Sequence, residues 1–337
     1  MTARAVIFGC SGPELLPEEA AFFRDSGPWG FILFARNIKS PEQATELVDS
    51  LRNCVGRPSA PVLIDQEGGR VARLTPPHWR TAPSADKFGQ LYARQSPVLA
   101  RQACKLNGRL LAHELAALGI TVDCVPVLDV PAPGGHQIIG DRAFASDPAI
   151  VAELGRAMCE GLMAGGVLPV IKHIPGHGRA GADSHLDLPQ VTASLDELRR
   201  SDFTPFRALR DMPLAMTAHV AYTAIDGATP ASHSTKIIRE IIRGEIGFDG
   251  VLMCDDLGMK ALKGDFAERA GKAIAAGCDV LLHCSGVMTE MREVMKETPA
   301  LTGQAAVRCT AALSQLRLPD KFDAGAAKLR LTALLES

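Results

Sequence analysis

The chain has 337 residues, of which 47% are hydrophobic and 22% are charged, with a formal net charge of -2. This composition is typical of a globular protein with a large buried core, and it excludes an intrinsically disordered chain. Acidic and basic residues are interspersed and form no basic stripe, so we expect no nucleic-acid partner. No apolar stretch approaches the roughly 20 residues that cross a bilayer, and the sequence shows no leader-peptide pattern. We therefore expect a cytoplasmic protein with no membrane partner, and we expect it to be a monomer.

Eight short apolar runs recur along the chain and predict eight buried strands. They cover residues 5–8, 31–34, 62–64, 121–124, 168–171, 214–216, 251–253 and 280–282. The segments between them carry helix-start signals: Ser40, Ser96 and Asp147 each precede a proline, and Ser194 forms a capping-box pattern with Glu197. Strands that alternate with helices form a parallel sheet, and a count of eight favours an α/β fold closed into one (β/α)8 TIM-type barrel.

The sequence contains no repeat, low-complexity tract or Gly/Ser-rich linker at which the chain would divide. We therefore predict one domain over residues 1–337, with residues 299–337 forming a helical C-terminal extension. The nine cysteines include no CxxC pair, and several lie in apolar runs. They are predicted to be buried thiols rather than ligands of a zinc ribbon.

Polar residues are concentrated directly after the predicted strands. They follow the third strand at residues 65–73, the fourth at 129–142, the fifth at 172–185, the sixth at His219 and the seventh at Asp255. The carboxyl ends of barrel strands meet at one face, where barrel enzymes assemble their active sites. The pattern therefore predicts an active site at that face.

The densest polar segment is KHIPGHGRAGADSHLDLP, residues 172–189. Its Gly176, Gly178 and Gly181 match the GxGxxG pattern of dinucleotide sites and follow a predicted strand. That pattern must open a helix at once, and no helical periodicity begins here before about residue 195. We therefore expect no nucleotide cofactor.

Two histidines of this segment, His173 and His177, have the i, i+4 spacing of a helical zinc pair. Pro175 lies between them and is incompatible with a regular helix. A metal site gathered from the loop by His173, His177, Asp183 and His185 remains an alternative, although we expect no metal.

Two further groups have the chemistry of a catalytic site. Asp183 precedes His185 by two residues, so its carboxylate is able to accept from one ring nitrogen while the other faces a substrate. Asp255 ends a barrel strand, which is a standard position for a nucleophile. Strand alternation predicts that one of Asp255 and Asp256 faces the barrel axis while the other caps the next helix.

A third group combines acidic and basic side chains suited to sugar hydroxyls. The segment LIDQEGGRVARL ends a strand at Asp65 and places Arg73 after a glycine-containing turn, and GDRAF supplies Arg142. A carboxylate accepts from vicinal hydroxyls and a guanidinium donates in a fork. From spacing alone, structural salt bridges explain Arg73 and Arg142 equally well.

The motifs KHIPGHG and DSH, together with DQEGGR, GDRAF and CDDLGM, closely resemble family 3 of the glycoside hydrolases, in its β-N-acetylglucosaminidase branch. The resemblance implies that Asp255 is the nucleophile and that His185, with Asp183, is the acid/base. It also implies a set of sugar-binding residues, which are Asp65, Arg73, Arg142, Lys172 and His173.

The resemblance further implies a retaining, exo-acting enzyme that releases N-acetylglucosamine from muropeptides in cytosolic peptidoglycan recycling, with no cofactor. A phosphorylase is an alternative, because a histidine base repels a phosphate acceptor less than a carboxylate would. A metal-dependent barrel hydrolase is a second alternative, and a non-catalytic sugar-binding module is a third.

Overall fold

Eight parallel strands form the central sheet of the computed structural model, which describes residues 2–132, 139–180 and 188–336. The barrel strands are β1 (Arg4–Gly9), β2 (Pro28–Leu33), β3 (Val62–Ile64), β4 (Val122–Asp123), β5 (Leu168–Ile174), β7 (Leu214–Thr217), β9 (Val251–Met253) and β10 (Leu281–His283). Two short strands, β6 (Gln190–Val191) and β8 (Ala221–Tyr222), pair with each other outside the barrel. All eight predicted strands are confirmed.

The order of the barrel strands is β10, β1, β2, β3, β4, β5, β7 and β9, and every neighbouring pair is parallel. The two ends of this sheet approach each other through a parallel bridge between Met253 and Val280. The N–H of Cys254 donates to the carbonyl of Val280 at 3.2 Å. The sheet is therefore a nearly closed (β/α)8 barrel, as predicted.

The helices cover the outside of the barrel. They are α1 (Pro17–Ser26), α2 (Pro41–Cys54), α3 (Ala85–Arg94), α4 (Pro97–Ala116), α5 (Pro148–Ala164), α6 (Leu195–Arg200), α7 (Phe203–Ala208), α8 (Thr223–Asp226), a π-helix (Ile237–Glu245), α9 (Phe266–Ala276), α10 (Met288–Glu297), α11 (Gly303–Leu313) and α12 (Ala324–Glu336). None of the helices within the described ranges is both long enough and apolar enough to cross a bilayer.

The predicted helix starts are confirmed by side-chain caps. Ser40, Ser96 and Asp147 each accept a hydrogen bond from a backbone N–H of the first turn of α2, α4 and α5, and the proline at the first helical position has no N–H to satisfy. Ser194 and Glu197 form the predicted capping box at α6. These local signals set where the helices begin and hence where the preceding loops end.

One continuous apolar core extends from β1 to α12 and includes Ala5 and Leu331. The residues after 299 form α11 and α12, as the predicted helical extension requires. All nine cysteines are free thiols, and eight of them are buried, as predicted. The assignment of the whole chain to one domain stays a prediction.

Candidate active site

A cavity of about 290 Å³ opens at the carboxyl ends of the barrel strands. It is lined by Ile32, Phe34, Asp65, Glu67, Arg70, Val71, Arg73, Ile139, Arg142, Lys172, His173, His177, Met216, Asp255, Asp256, Met259, Leu282 and Cys284. Six residues predicted from the sequence as site residues are in this set, namely Asp65, Arg73, Arg142, Lys172, His173 and Asp255. The barrel thus brings together side chains that lie up to 190 positions apart in the sequence.

Two adjacent residues of β5, Lys172 and His173, both line the cavity. Regular alternation would direct neighbouring side chains of a strand to opposite faces. The register of β5 against β7 shifts between Lys172 and Ile174, so the strand is irregular at this point. The strand is thus irregular at the point where two consecutive side chains, Lys172 and His173, both reach the cavity.

A chain of ion pairs forms one wall of the cavity. The Nζ of Lys172 lies 2.9 Å from Oδ1 of Asp65 and 2.7 Å from Oε1 of Glu67. Arg142 donates from Nε and Nη2 to the two oxygens of Glu67, each at 2.8 Å. The Nη2 of Arg73 lies 3.3 Å from Oδ2 of Asp65. Three cations are therefore held by two carboxylates, which leaves a net positive charge on this wall.

The electrostatics keep these groups ionised. Burial acts to raise the pKa values of Asp65 and Glu67, but the charge of Lys172 and the neighbouring guanidinium groups outweigh it. The pKa of Asp65 lies below its ordinary value, and that of Glu67 is lowered to about 2. Burial likewise acts to lower the pKa of Lys172, yet the two carboxylates raise it above its ordinary value.

A buried carboxylate organises the two histidines at the end of β5. Asp129 is fully buried, and its Oδ2 lies 2.7 Å from Nδ1 of His173. Its Oδ1 accepts the backbone N–H of His177 at 2.7 Å. The pKa of Asp129 is about 2, because the interactions with His173 and His177 outweigh the effect of burial. The ionised carboxylate accepts only, so Nδ1 of His173 carries the hydrogen and Nε2 is left for a ligand in the cavity.

His177 has a different environment from His173. Burial lowers its pKa to about 4, against the opposing charge of Asp129. The two imidazole rings meet edge to face, with 5.7 Å between their centroids. His177 is therefore a neutral member of the cavity wall near neutral pH.

Asp255 lies two residues beyond the end of β9 and lines the same cavity. Its Oδ1 accepts the backbone N–H of Asp256 at 2.8 Å. Burial acts to raise its pKa, but its interactions with His219 and His173, the hydrogen bond from the N–H of Asp256 and the charge of Lys172 together lower it below its ordinary value. In the part of the chain that the structure describes, Asp255 makes no ion pair with a lysine or arginine.

The predicted role of Asp256 as a helix cap is wrong. Its Oδ1 accepts the N–H groups of Gly258 and Cys284, each at 3.0 Å, and so joins the loop after β9 to the end of β10. The next helix, α9, begins later and is capped by Asp265, which accepts from the N–H of Glu268 at 2.8 Å. Asp265 comes ten positions after Asp255, and the sequence alone did not show that the chain forms a loop over this distance.

Part of the cavity lining is apolar. It contains Ile32, Phe34, Met216, Met259 and Leu282. The Phe34 ring lies beneath the guanidinium groups of Arg73 and Arg36, at 5.2 Å and 5.0 Å from their central carbons. A cavity lined by both ionic and apolar side chains suits a ligand that combines hydroxyl groups with aliphatic or ring faces.

Asp183 and His185, the predicted acid/base pair, lie outside the described residues, and so does Asp187. Their roles stay predictions. Two of the four ligands of the alternative metal site, Asp183 and His185, are therefore not described. Among residues 2–132, 139–180 and 188–336, no group of three or more His, Cys, Asp or Glu side chains is arranged to hold a metal ion.

Glu67 and Asp129 were not singled out by the sequence reasoning. Glu67 is within DQEGGR, two positions after Asp65, and its position in a turn gave no sign that it faces the same cavity. Asp129 follows β4 and opens a polar segment, which was a usable signal for a functional carboxylate. The cavity residues Phe34 and Met259 carry no signal that distinguishes them from core residues.

An eight-stranded parallel barrel with ionised and basic side chains around a cavity at the carboxyl ends of its strands is the architecture of a (β/α)8-barrel enzyme. Residues 18–310 match the Glycosyl hydrolase family 3 N terminal domain. A beta-hexosaminidase of Bordetella avium is 38% identical over 284 residues, which cover 83% of this chain and 80% of that protein. A beta-hexosaminidase of Alkalilimnicola ehrlichii is 40% identical with the same coverage.

Among solved structures, the fold matches NagZ from Neisseria gonorrhoeae in complex with N-trifluoroacetyl-D-glucosamine. The TM-score is 0.88 at 31% identity, and the match covers 100% of this chain and 98% of that one. The chain therefore belongs to glycosyl hydrolase family 3, and it is a glycosidase.

Proposed function

We propose that this protein is a retaining, exo-acting β-N-acetylglucosaminidase that removes the non-reducing terminal N-acetylglucosamine from muropeptide fragments in cytoplasmic peptidoglycan recycling. The observation that carries the proposal is the state of Asp255, an ionised carboxylate at the cavity whose oxygens are bound by no lysine or arginine among the described residues. Such a carboxylate is available to attack an anomeric carbon. The relative from Neisseria gonorrhoeae binds an N-acylated glucosamine, which supports the same class of sugar here.

The ion-pair wall is proposed to bind the sugar hydroxyls. Asp65 and Lys172 are both ionised, and each has hydrogen-bonding capacity beyond the contacts that they make with each other. The guanidinium groups of Arg73 and Arg142 are fixed by Asp65 and Glu67, so little conformational freedom remains to be lost on binding. His173 adds the Nε2 atom that Asp129 leaves available.

The reaction then has two steps. Asp255 attacks the anomeric carbon while His185, oriented by Asp183, gives a proton to the departing oxygen. The neutral imidazole next takes a proton from water, which attacks the glycosyl-Asp255 ester and releases the sugar with retained configuration.

The substrate class is tested with aryl glycosides. We expect hydrolysis of the aryl N-acetyl-β-glucosaminide and little hydrolysis of the matched β-glucoside. The same assay in EDTA tests the metal alternative, since a metal hydrolase would stop and recover with zinc. Product analysis in phosphate buffer tests the phosphorylase alternative, which would form sugar 1-phosphate.

The acid/base assignment is tested with His185→Ala. Natural substrates need a proton on the leaving oxygen and should react poorly, whereas an aryl glycoside with an acidic phenol should still form the glycosyl-enzyme. Hydrolysis of that intermediate then becomes slow, so a burst of phenol is expected before slow turnover. Asp183→Ala should show a milder form of the same behaviour, because the imidazole remains. Equal losses on good and poor leaving groups without a burst would contradict the assignment.

A further inference from the structure

His219 lies two residues beyond the end of β7 and is fully buried. Its Nε2 is 3.1 Å from the carbonyl oxygen of Asp256, and its Nδ1 is 2.7 Å from the hydroxyl of Ser232. A carbonyl oxygen only accepts, so Nε2 carries the hydrogen and donates it. Nδ1 then accepts from the hydroxyl of Ser232, which is itself fully buried. In this orientation, each ring nitrogen of a neutral His219 therefore has a hydrogen-bond partner.

The surroundings favour this neutral form. Burial lowers the pKa of His219 below its ordinary value, against the opposing charges of Asp255 and Asp256. A neutral ring keeps one donor and one acceptor, which are the two roles that Asp256 and Ser232 require.

The backbone of Asp256 is the element that His219 holds. The N–H of Asp256 donates to Oδ1 of Asp255 at 2.8 Å. Its carbonyl also accepts the N–H of Met259 at 3.1 Å, which is a contact within the same turn. The bond from His219 is different, because it connects this turn to the end of another barrel strand.

We propose that His219, held by Ser232, is a positioning residue that fixes the backbone of Asp256 and, through it, the carboxylate of Asp255. The inference rests on the proposed role of Asp255 as nucleophile. His219 does not touch the reacting atoms in this role. It restricts where the turn after β9, and hence the attacking oxygen, is able to lie.

The test compares two substitutions of His219. His219→Leu fills the space but removes the donor, whereas the side-chain amide of His219→Gln places an N–H near the position of Nε2. Misplacing a reacting group by about 1 Å costs about 10²-fold in rate, so we expect His219→Leu to lower kcat by roughly that factor. KM should change little, and the loss should be the same for aryl glycosides with good and poor leaving groups. His219→Gln should recover most of the lost kcat.

Two further variants separate positioning from general packing. Ser232→Ala removes only the group that orients the ring and should lower kcat in the same direction by a smaller factor. Thr217→Val is the matched control, since Thr217 is fully buried at the end of β7 and its hydroxyl has no hydrogen-bond partner among the described residues. It should leave kcat unchanged. Thermal unfolding of each variant reports its folding.

The outcomes are distinct. If the wild type is active and His219→Leu has an unchanged kcat, the inference is overturned and the proposed function still stands. A kcat loss that His219→Gln does not recover, or that Thr217→Val shares, overturns it as well. If His219→Leu does not fold, Ser232→Ala decides: a lower kcat supports the inference and an unchanged kcat overturns it. A wild type without glycosidase activity overturns the proposed function and this inference together.

Discussion

Two carboxylates of the same cavity, Glu67 and Asp255, have opposite surroundings. Both oxygens of Glu67 lie at 2.8 Å from Arg142, and one is also 2.7 Å from Lys172. Asp255 accepts one backbone N–H, and no lysine or arginine of the described chain pairs with it. Both follow barrel strands, and both are ionised.

The contrast shows that an acidic residue at the mouth of a barrel is not defined by its charge alone. The lone pairs of Glu67 are occupied by cations, so its carboxylate serves to hold Lys172 and Arg142 in place. The lone pairs of Asp255 that are not used by Asp256 face the cavity, so this carboxylate has the freedom that a nucleophile needs. Substituting Asp255 should therefore mainly impair turnover, whereas substituting Glu67 should mainly impair stability.

Asp255→Asn should have the largest effect. The amide is nearly isosteric but is not a nucleophile, so turnover should fall by about 10⁴-fold or more on every aryl glycoside, whatever its leaving group. Stability and binding of N-acetylglucosamine should be largely retained. Steady-state kinetics measure the turnover, calorimetric titration measures binding of the sugar, and thermal unfolding measures stability. Substantial activity in Asp255→Asn would remove the distinction between the two carboxylates.

Glu67→Gln should act mainly on stability. Removing one partner of a buried ion pair costs about 3–5 kcal/mol, because the remaining charges stay buried. The side chains of Glu67 and Arg142 are only 6% and 13% exposed, which places this pair in that class. We expect the free energy of unfolding to fall by about 3 kcal/mol and KM to rise, since Lys172 and Arg142 lose their support.

The matched control for Glu67→Gln is Asp141→Asn. It removes the charge of a pair with Arg70 whose side chains are 40% and 45% exposed. Exposed pairs contribute about 1 kcal/mol or less, so urea unfolding should detect little change. Equal losses in both variants would show that burial does not set the cost.

The dependence of stability on pH should show the ionised state of Glu67, with a smaller effect than its substitution. The pKa values of Glu67 and Asp129 are about 2 in the folded protein, below ordinary values of about 4.3 and 3.9. A group with a lowered folded pKa binds protons more readily when unfolded, so its stabilising contribution is present above about pH 4.5 and is lost as the pH falls towards 2.

His177 adds to this acid sensitivity. Its folded pKa of about 4 is below the ordinary value of about 6.5, so its contribution is lost as the pH falls between those two values. Urea midpoints of the wild type should therefore fall from neutral pH downwards. Glu67→Gln should show a shallower dependence below about pH 4.5, and parallel curves for the two proteins would contradict the assigned state of Glu67.

The sequence by itself determined the barrel and the positions of its functional loops. Eight apolar runs became eight strands, and the serine and aspartate caps before Pro41, Pro97 and Pro148 set the starts of three helices. These signals are local, because a strand run or a helix cap involves residues within a few positions of each other. The placement of Asp65, Lys172 and Asp255 at strand ends followed from the same local patterns.

The tertiary structure alone decided which of these side chains are bound to each other. Glu67 and Arg142 are 75 positions apart, and His219 and Asp256 are 37 apart, so no local pattern records either contact. Closing the barrel brings the loops after separate strands to one cavity, where distances of about 3 Å decide which carboxylate is neutralised and which stays available. The contacts of Asp256 with Gly258 and Cys284 depend on the loop path and the neighbouring strand, which strand alternation does not record.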